Sequence, residues 1–268
     1  MAELDRTFTD AIAALYDRHL GPLLFAPYAA DLAARVARLG GSRILETAAG
    51  TGIVTRALAA ALPKGVEIVA TDLNEPMLAY AAKATNAAID WRPADAAALP
   101  FADGSFDIVV CQFGVMFFPD KLRGFREAWR VLRPGGTFLF NVWDRIEANE
   151  AAHLVAETVV NLFPHDPPRF LARTPHGYHD VVPLKAELER AGFRDISVET
   201  VVRRGRASSY RDPAIGLCLG TPMRSEIEAR DPARRDEVVE KVAAAVRARF
   251  GEGPFETALS AHVFAGTR

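Results

Sequence analysis

The chain has 268 residues, 50% hydrophobic and 25% charged, with 32 basic against 34 acidic side chains and a net charge of −2. That composition excludes a disordered chain, and a pI near 6.3 offers no electrostatic footprint for gripping a polyanion, so nucleic acid is not an expected partner. Cys111 and Cys218 lie far apart and outside any Cys-x-x-Cys spacing, which argues against a disulfide framework or a zinc site and suits a reducing cytoplasm.

The opening MAELDRTFTD lacks a basic n-region and an apolar h-region, so no signal peptide is expected. Two helices are predicted over residues 7–16 and 28–39, separated by HLGPLLFAP, where Gly21, Pro22 and Pro27 break the pattern. The rhythm then changes. RILET, AAGTG and IVTRALAAAL read as strand, loop and helix, stopped by Pro63 and Gly65. VEIVATD is a second strand, and Asn74, Glu75 and Pro76 open a helix to about Thr85. IDWRPAD is a third, weakened by Pro93. FDIVVCQF is apolar enough for a strand covered on both faces. The apolar stretch from Ile108 to Phe118 is broken by Gln112, Gly114 and Pro119, short of the ~20 residues needed to cross a bilayer, so no membrane insertion is expected. A helix over 121–132 follows, ended by RPGG before the strand TFLFNVWD.

Five strands alternating with helices place the chain in the α/β class, with a parallel sheet and ligands outside the carboxyl ends of its strands. After Asp144 the alternation fails. A helix over 147–162 leads into a Pro- and His-rich loop, and the core resumes with a helix at 184–191, a Gly192 stop and a strand at 196–203. A second helical insertion covers 212–250, with Asp231 and Pro232 as a helix start, and ALSAHVFAG is the final strand. No repeat or low-complexity linker is visible, so a single domain over 1–268 is expected. Its core would be 40–144, 183–204 and 255–268; the helices of 1–39 and the insertions 145–182 and 205–254 would cap the carboxyl edge and build a substrate pocket.

The segment that carries chemistry is ILETAAGTG. Gly50 and Gly52 remove Cβ atoms that would keep a ligand off the backbone, and the helix opening there aims N–H groups outward. Asp72 ends the next strand 20 residues after Gly52, the placement of a carboxylate that accepts both ribose hydroxyls of an adenine-containing ligand. The plainer alternative is a tight turn followed by a helix cap, but the joint spacing favours the ligand. A dinucleotide fingerprint would want a third glycine where Thr55 stands, and Glu46 would repel a pyrophosphate while suiting a cationic amino-acid head group.

Taken together, these motifs resemble the class I S-adenosylmethionine-dependent methyltransferases, especially the small-molecule group related to the ubiquinone/menaquinone-biosynthesis C-methyltransferases. The resemblance is closest over 16–144, where ETAAGTG matches the family's glycine loop except that Ala48 replaces the first glycine. It implies a Rossmann-like, mostly parallel seven-stranded sheet with helices on both faces and an antiparallel last strand. It also implies S-adenosylmethionine as cofactor. Glu46, Ala48, Gly50 and Gly52 would meet its methionine part, Asp72 its ribose, Leu73 and Met77 its adenine flank, Asp95 and Ala96 the adenine edge, and Gln112 and Phe113 the mouth of the methyl-transfer site.

Methyl transfer from a sulfonium needs alignment and dryness, with a base only when the acceptor keeps a proton. Tyr16, His19 and His179 are candidate bases, together with His153 and His176, and none is marked by motif context. His176 and His179 stand three apart with no third ligand in sight, so no metal site is expected. Phe25, Met116, Phe117 and Phe118 could line an apolar pocket. The expected partner is a small, partly apolar methyl acceptor, with a homodimer left open. Two competing readings are a nicotinamide-dependent oxidoreductase and a non-catalytic module that only binds S-adenosylmethionine.

Overall fold

A computed structural model describes residues 10–268; the start of the first expected helix and most of the opening stretch lie outside the described residues. Seven strands form one sheet in the order β3-β2-β1-β4-β5-β7-β6. They are β1 Arg43–Thr47, β2 Glu67–Asp72, β3 Asp90–Pro93, β4 Phe106–Gln112, β5 Leu132–Trp143, β6 Arg194–Ala207 and β7 Phe255–Thr267. The first five pair in parallel. β7 lies antiparallel between β5 and β6, so the fold is α/β, Rossmann-like and mostly parallel.

Burial follows from this order. β4, at the centre, keeps six of its seven residues buried, the pattern of a strand covered on both faces. β6, at the edge, alternates and carries exposed Val202 and Arg204. In register, Glu46 lies beside Val110 and Gln112 beside Asn141, so the carboxyl ends of β1, β2 and β4 bring Glu46, Asp72 and Gln112 to one rim.

The helices are α1 Asp10–Leu15, α2 Ala26–Leu39, α3 Ile53–Ala61, α4 Glu75–Ala84, α5 Lys121–Val131, α6 Glu150–Leu162, α7 Phe170–Arg173, α8 Val181–Ala191, α9 Arg211–Leu219, α10 Met223–Arg230 and α11 Arg235–Phe250. α2 packs on α3 and buries a stripe of Tyr28, Leu32 and Val36, one turn apart. The Tyr28 hydroxyl donates to the Val201 carbonyl at 2.9 Å, tying α2 to β6.

The expected break between the first two helices is absent. Residues Tyr16–Phe25 form a π-helix that joins α1 to α2. The wider turn accommodates Pro22, which lacks an N–H and would clash in an α-helix, and the Ala26 N–H reaches back to the Gly21 carbonyl. Other boundaries move less. α8 begins at Val181 because the Asp180 carboxylate accepts the Val182 N–H, β6 runs on through Ala207, and the second insertion resolves into three helices. Asp231 starts a short 3-10 turn, Pro232–Arg234, ahead of α11. No helix among the described residues is long and apolar enough to cross a membrane.

Candidate functional site

The β1–α3 loop leaves the strand through two left-handed residues, Ala48 at φ 53° and Gly50 at φ 56°. The Ala49 N–H donates to the Thr71 carbonyl (2.9 Å) and the Gly52 N–H to the Ala49 carbonyl (2.9 Å), which fixes the turn. The two sequence-singled glycines then part company. A Cβ on Gly50 would meet nothing within 4 Å, whereas one on Gly52 (φ +78°) would stand 2.9 Å from Ala81 Cβ and 3.1 Å from the Trp91 ring. Gly50 leaves open space for a ligand; Gly52, expected in the same role, is a packing glycine that lets β3 and α4 close on the loop, and it lines no cavity described here.

Asp72 is buried and holds this rim together. One carboxylate oxygen accepts the Gly50 N–H at 2.8 Å; the other accepts the Asn74 backbone N–H (2.8 Å) and side-chain amide (3.2 Å). Burial pushes its pKa up, against the hydrogen bonds that favour the charged form. Asp72 thus satisfies the donors at the start of α4, where Asn74 itself makes no side-chain cap. Glu46 is buried more deeply. Its carboxyl accepts the Thr55 hydroxyl at 2.6 Å, and desolvation, with Asp72 nearby, raises its pKa to about 8. Thr55, where a dinucleotide fold would want glycine, is the partner that this acid needs.

Nine of the eleven residues expected around a cofactor line one cleft of about 740 Å³: Ala48, Gly50, Asp72, Leu73, Met77, Asp95, Ala96, Gln112 and Phe113. Glu46 lies in an adjoining smaller recess with Thr51 and Ile53, which shares Tyr16, Ala48, Gly50 and Gln112 with the cleft. Tyr16, Phe117 and Phe118 also line the cleft, as do Asn74, Ala94, Gly114 and Pro119, which were not expected in the site. Two polar atoms in these spaces, Gln112 Oε1 and Thr51 Oγ1, are buried without a hydrogen-bond partner.

A second chamber, of about 560 Å³, opens beside the cleft and shares Tyr16, Phe113 and Phe117 with it. Three stretches distant in sequence line it: Leu20, Leu24 and Phe25 of the π-helix; Asn149, Ala152, Phe170, Leu171, Pro175 and His176 of the first insertion; and Leu217 and Thr221 of the second. The π-helix is fastened over the cleft by Asp17, which pairs with Arg56 at 3.0 Å and accepts the Tyr80 hydroxyl at 3.3 Å. Phe113, at φ 51°, stacks on Trp143 with ring centres 3.7 Å apart and meets Tyr28 edge-on. Its amide donates to the Asn141 side chain at 2.9 Å, which anchors the left-handed turn.

The candidate bases separate in the same way. Tyr16 sits where cleft and chamber meet, and burial plus the Asp72 and Asp17 carboxylates pushes its pKa well above the ordinary phenol value. It therefore remains a neutral phenol at physiological pH. His19 lines neither space: its ring pairs with Asp212 at 2.9 Å and fastens the π-helix to α9. Nor does His179, whose Nδ1 contacts the His176 carbonyl at 2.7 Å. His153 lies on α6 beside Glu157. Of the histidines, His176 lines the chamber. Sequence gave it no mark because nothing local predicts that this loop folds back over β5.

Residues 45–140 match the family model described as a methyltransferase domain. A demethylmenaquinone methyltransferase of Clavibacter sepedonicus is 43% identical over 103 residues, 38% of this chain and 41% of that protein. A ubiquinone/menaquinone biosynthesis C-methyltransferase of Geotalea uraniireducens is 38% identical over 101 residues, 36% of this chain and 43% of that one. The chain thus spans less than half the length of these curated relatives. Among solved structures, the fold is similar to a phosphoethanolamine N-methyltransferase of Haemonchus contortus, at a TM-score of 0.60 and 20% identity, covering 99% of this chain and 59% of that one. The segment matched by the methyltransferase-domain model contains the glycine loop, Asp72 and Gln112.

Proposed function

We propose that the whole chain transfers a methyl group from S-adenosylmethionine to a small, partly apolar molecule. The observation that carries this reading is the meeting of a polar cleft and an aromatic chamber at Tyr16, Phe113 and Phe117. The residues fit the cofactor. Gly50 leaves its face of the loop open, Asp72 offers a carboxylate to ribose, and Leu73 and Met77 offer an apolar flank to adenine. The unpartnered Gln112 and Thr51 oxygens, with Glu46 behind them, suit an ammonium group. When bound, the cofactor supplies a methyl group already activated by its sulfonium.

The chain's own contribution is orientation and exclusion of water. The Asp17 contacts with Arg56 and Tyr80 hold the π-helix over the cleft, so an acceptor in the chamber would meet the donor at the shared aromatic mouth without passing through solvent. In this reading residues 10–39, 145–182 and 205–254 act as one cap on a single domain, the rest of the expected N-terminal part lying outside the described residues. The well-separated, buried Cys111 and Cys218 support a reducing, cytoplasmic setting, and the near-neutral charge disfavours nucleic acid as the acceptor.

Calorimetry with S-adenosylhomocysteine and, separately, NADH tests the reading. Micromolar binding of the first and no measurable binding of the second is expected; the reverse order would favour the oxidoreductase. Transfer of labelled methyl groups to a panel of small apolar acceptors separates an enzyme from a module that only binds.

A further inference from the structure

Gln112 ends β4 and touches two spaces at once, lining both the polar cleft and the recess that holds Glu46. Its side-chain amide is oriented by chemistry. The nitrogen lies 3.3 Å from the Phe25 backbone carbonyl, and a carbonyl can only accept, so Nε2 faces Phe25 and Oε1 is turned away from it. Oε1 is buried with no hydrogen-bond partner among the described residues, which leaves the desolvation of an acceptor uncompensated. The Nε2 contact is also loose, being longer than the ~2.9–3.0 Å of a typical N–H···O bond.

Phe25, at the other end of this contact, reaches the second space. It is the last residue of the π-helix and borders both the recess and the aromatic chamber. Its ring stacks on Tyr16 with centroids 4.7 Å apart and leans on Trp143 at 6.2 Å, and both of those rings line the chamber as well. The backbone that carries it is a π-turn around Gly21 and Pro22, a geometry found mostly at functional sites. A cation at Oε1 would satisfy that oxygen and polarise the amide, making Nε2–H a stronger donor to the Phe25 carbonyl. On the foregoing methyltransferase reading, we propose that Gln112 is a positioning residue that couples the two spaces: its Oε1 accepts from the ammonium group of the cofactor while its Nε2 locks the Phe25 carbonyl, so that the chamber wall is fixed when the methyl donor fills the cleft. An acceptor then meets a formed wall with the donor already in place.

Hydrogen exchange of the backbone amides of residues 23–29, read by mass spectrometry at saturating ligand, tests the coupling. S-adenosylhomocysteine carries the ammonium group, whereas 5′-methylthioadenosine shares its adenosine and thioether and lacks the amino acid. In the wild type the first is expected to slow exchange by about fivefold or more beyond the second. Gln112→Glu keeps an acceptor for the ammonium and loses the donor to Phe25, so it should still bind S-adenosylhomocysteine in calorimetry yet show no such difference. Gln112→Met, which introduces no buried charge, should likewise lose the difference once its cleft is saturated. A tether that merely held the helix would lower protection equally with either ligand and preserve the difference. Equal protection by the two ligands in the wild type, or an undiminished difference in either variant, overturns the proposal. Failure of S-adenosylhomocysteine to bind the wild type at all would instead overturn the methyltransferase reading.

Discussion

The polar cleft proposed for the cofactor and the aromatic chamber share three residues yet are built in different ways. The cleft draws on the ends of neighbouring parallel strands, so each functional side chain follows a short apolar run and sits within a few residues of a turn. The chamber draws on three segments that the chain joins only by folding its N-terminus and two insertions onto the same edge. Its lining is mostly apolar, with the Tyr16 phenol, Asn149, the His176 imidazole and Thr221 as its polar groups. The difference teaches that recognition of a common ligand can be written in local motifs, whereas recognition of a particular acceptor rests on long-range convergence.

The sharpest way to break this comparison is inside the glycine loop. Gly52→Ala forces a left-handed alanine into contact with Ala81 and Trp91, and about 3 kcal/mol of stability should be lost from backbone strain and overpacking. Gly50→Ala meets open space and should cost only about 1–2 kcal/mol, while weakening S-adenosylhomocysteine binding more than tenfold. Urea denaturation together with calorimetry reads both; equal stability losses would contradict the division of roles between the two glycines.

Glu46 gives the next largest effect. With a folded pKa of about 8 against an ordinary 4.5, the acid is mostly protonated at pH 7, and a ligand ammonium would draw the proton off. Affinity for S-adenosylhomocysteine should therefore rise with pH, by up to about tenfold per unit between pH 6 and 8, with proton release visible in buffers of different ionisation enthalpy. The same raised pKa has a stability consequence in the unliganded protein. Its contribution is fully present below pH 4.5 and is lost as pH rises through 8. Glu46→Gln should flatten both dependences.

Asp72→Asn loses the charge and turns one acceptor oxygen into a donor facing the Gly50 or Asn74 N–H, and should weaken S-adenosylhomocysteine at least tenfold, about 1.4 kcal/mol or more. It should leave the affinity of a small apolar molecule for the chamber, read by tryptophan fluorescence, within twofold, because Asp72 lines the cleft and not the chamber. A parallel loss in both spaces would mean that they are one site rather than two. The smallest expected effect is at Ala48, which holds φ 53° with its Cβ directed at Gly114. Ala48→Gly removes the left-handed strain, and a net gain of about 0.5–1 kcal/mol should raise the melting temperature by about 1–4 °C.

The alternation of strands and helices, the carboxyl-edge placement of the site and nine cleft residues were legible because each depends on periodicity or on spacing within one βα unit. That Gly52 is packed rather than open has a reason that sequence does not carry: Ala81 and Trp91 press on it from elements 29 and 39 residues away. Pro22 and Gly21 read as a break because a π-helix has no sequence signature of its own. His19, His176 and His179 looked alike as isolated histidines, and only the fold shows one facing a cavity, one paired with Asp212 and one on a backbone carbonyl. The two insertions read as additions expected to cap the carboxyl edge, but which of their residues line the chamber was not legible, because no local pattern marks them.

A crystal structure with S-adenosylhomocysteine bound tests the central claim most directly. The account predicts adenine beside Leu73 and Met77, both ribose hydroxyls on the Asp72 carboxylate, the amino group facing Gln112 and Thr51, and the sulfur at the mouth formed by Tyr16, Phe113 and Phe117. Ligand density in the aromatic chamber instead, or an Asp72 carboxylate that stays on Gly50 and Asn74 without touching the ribose, would contradict it.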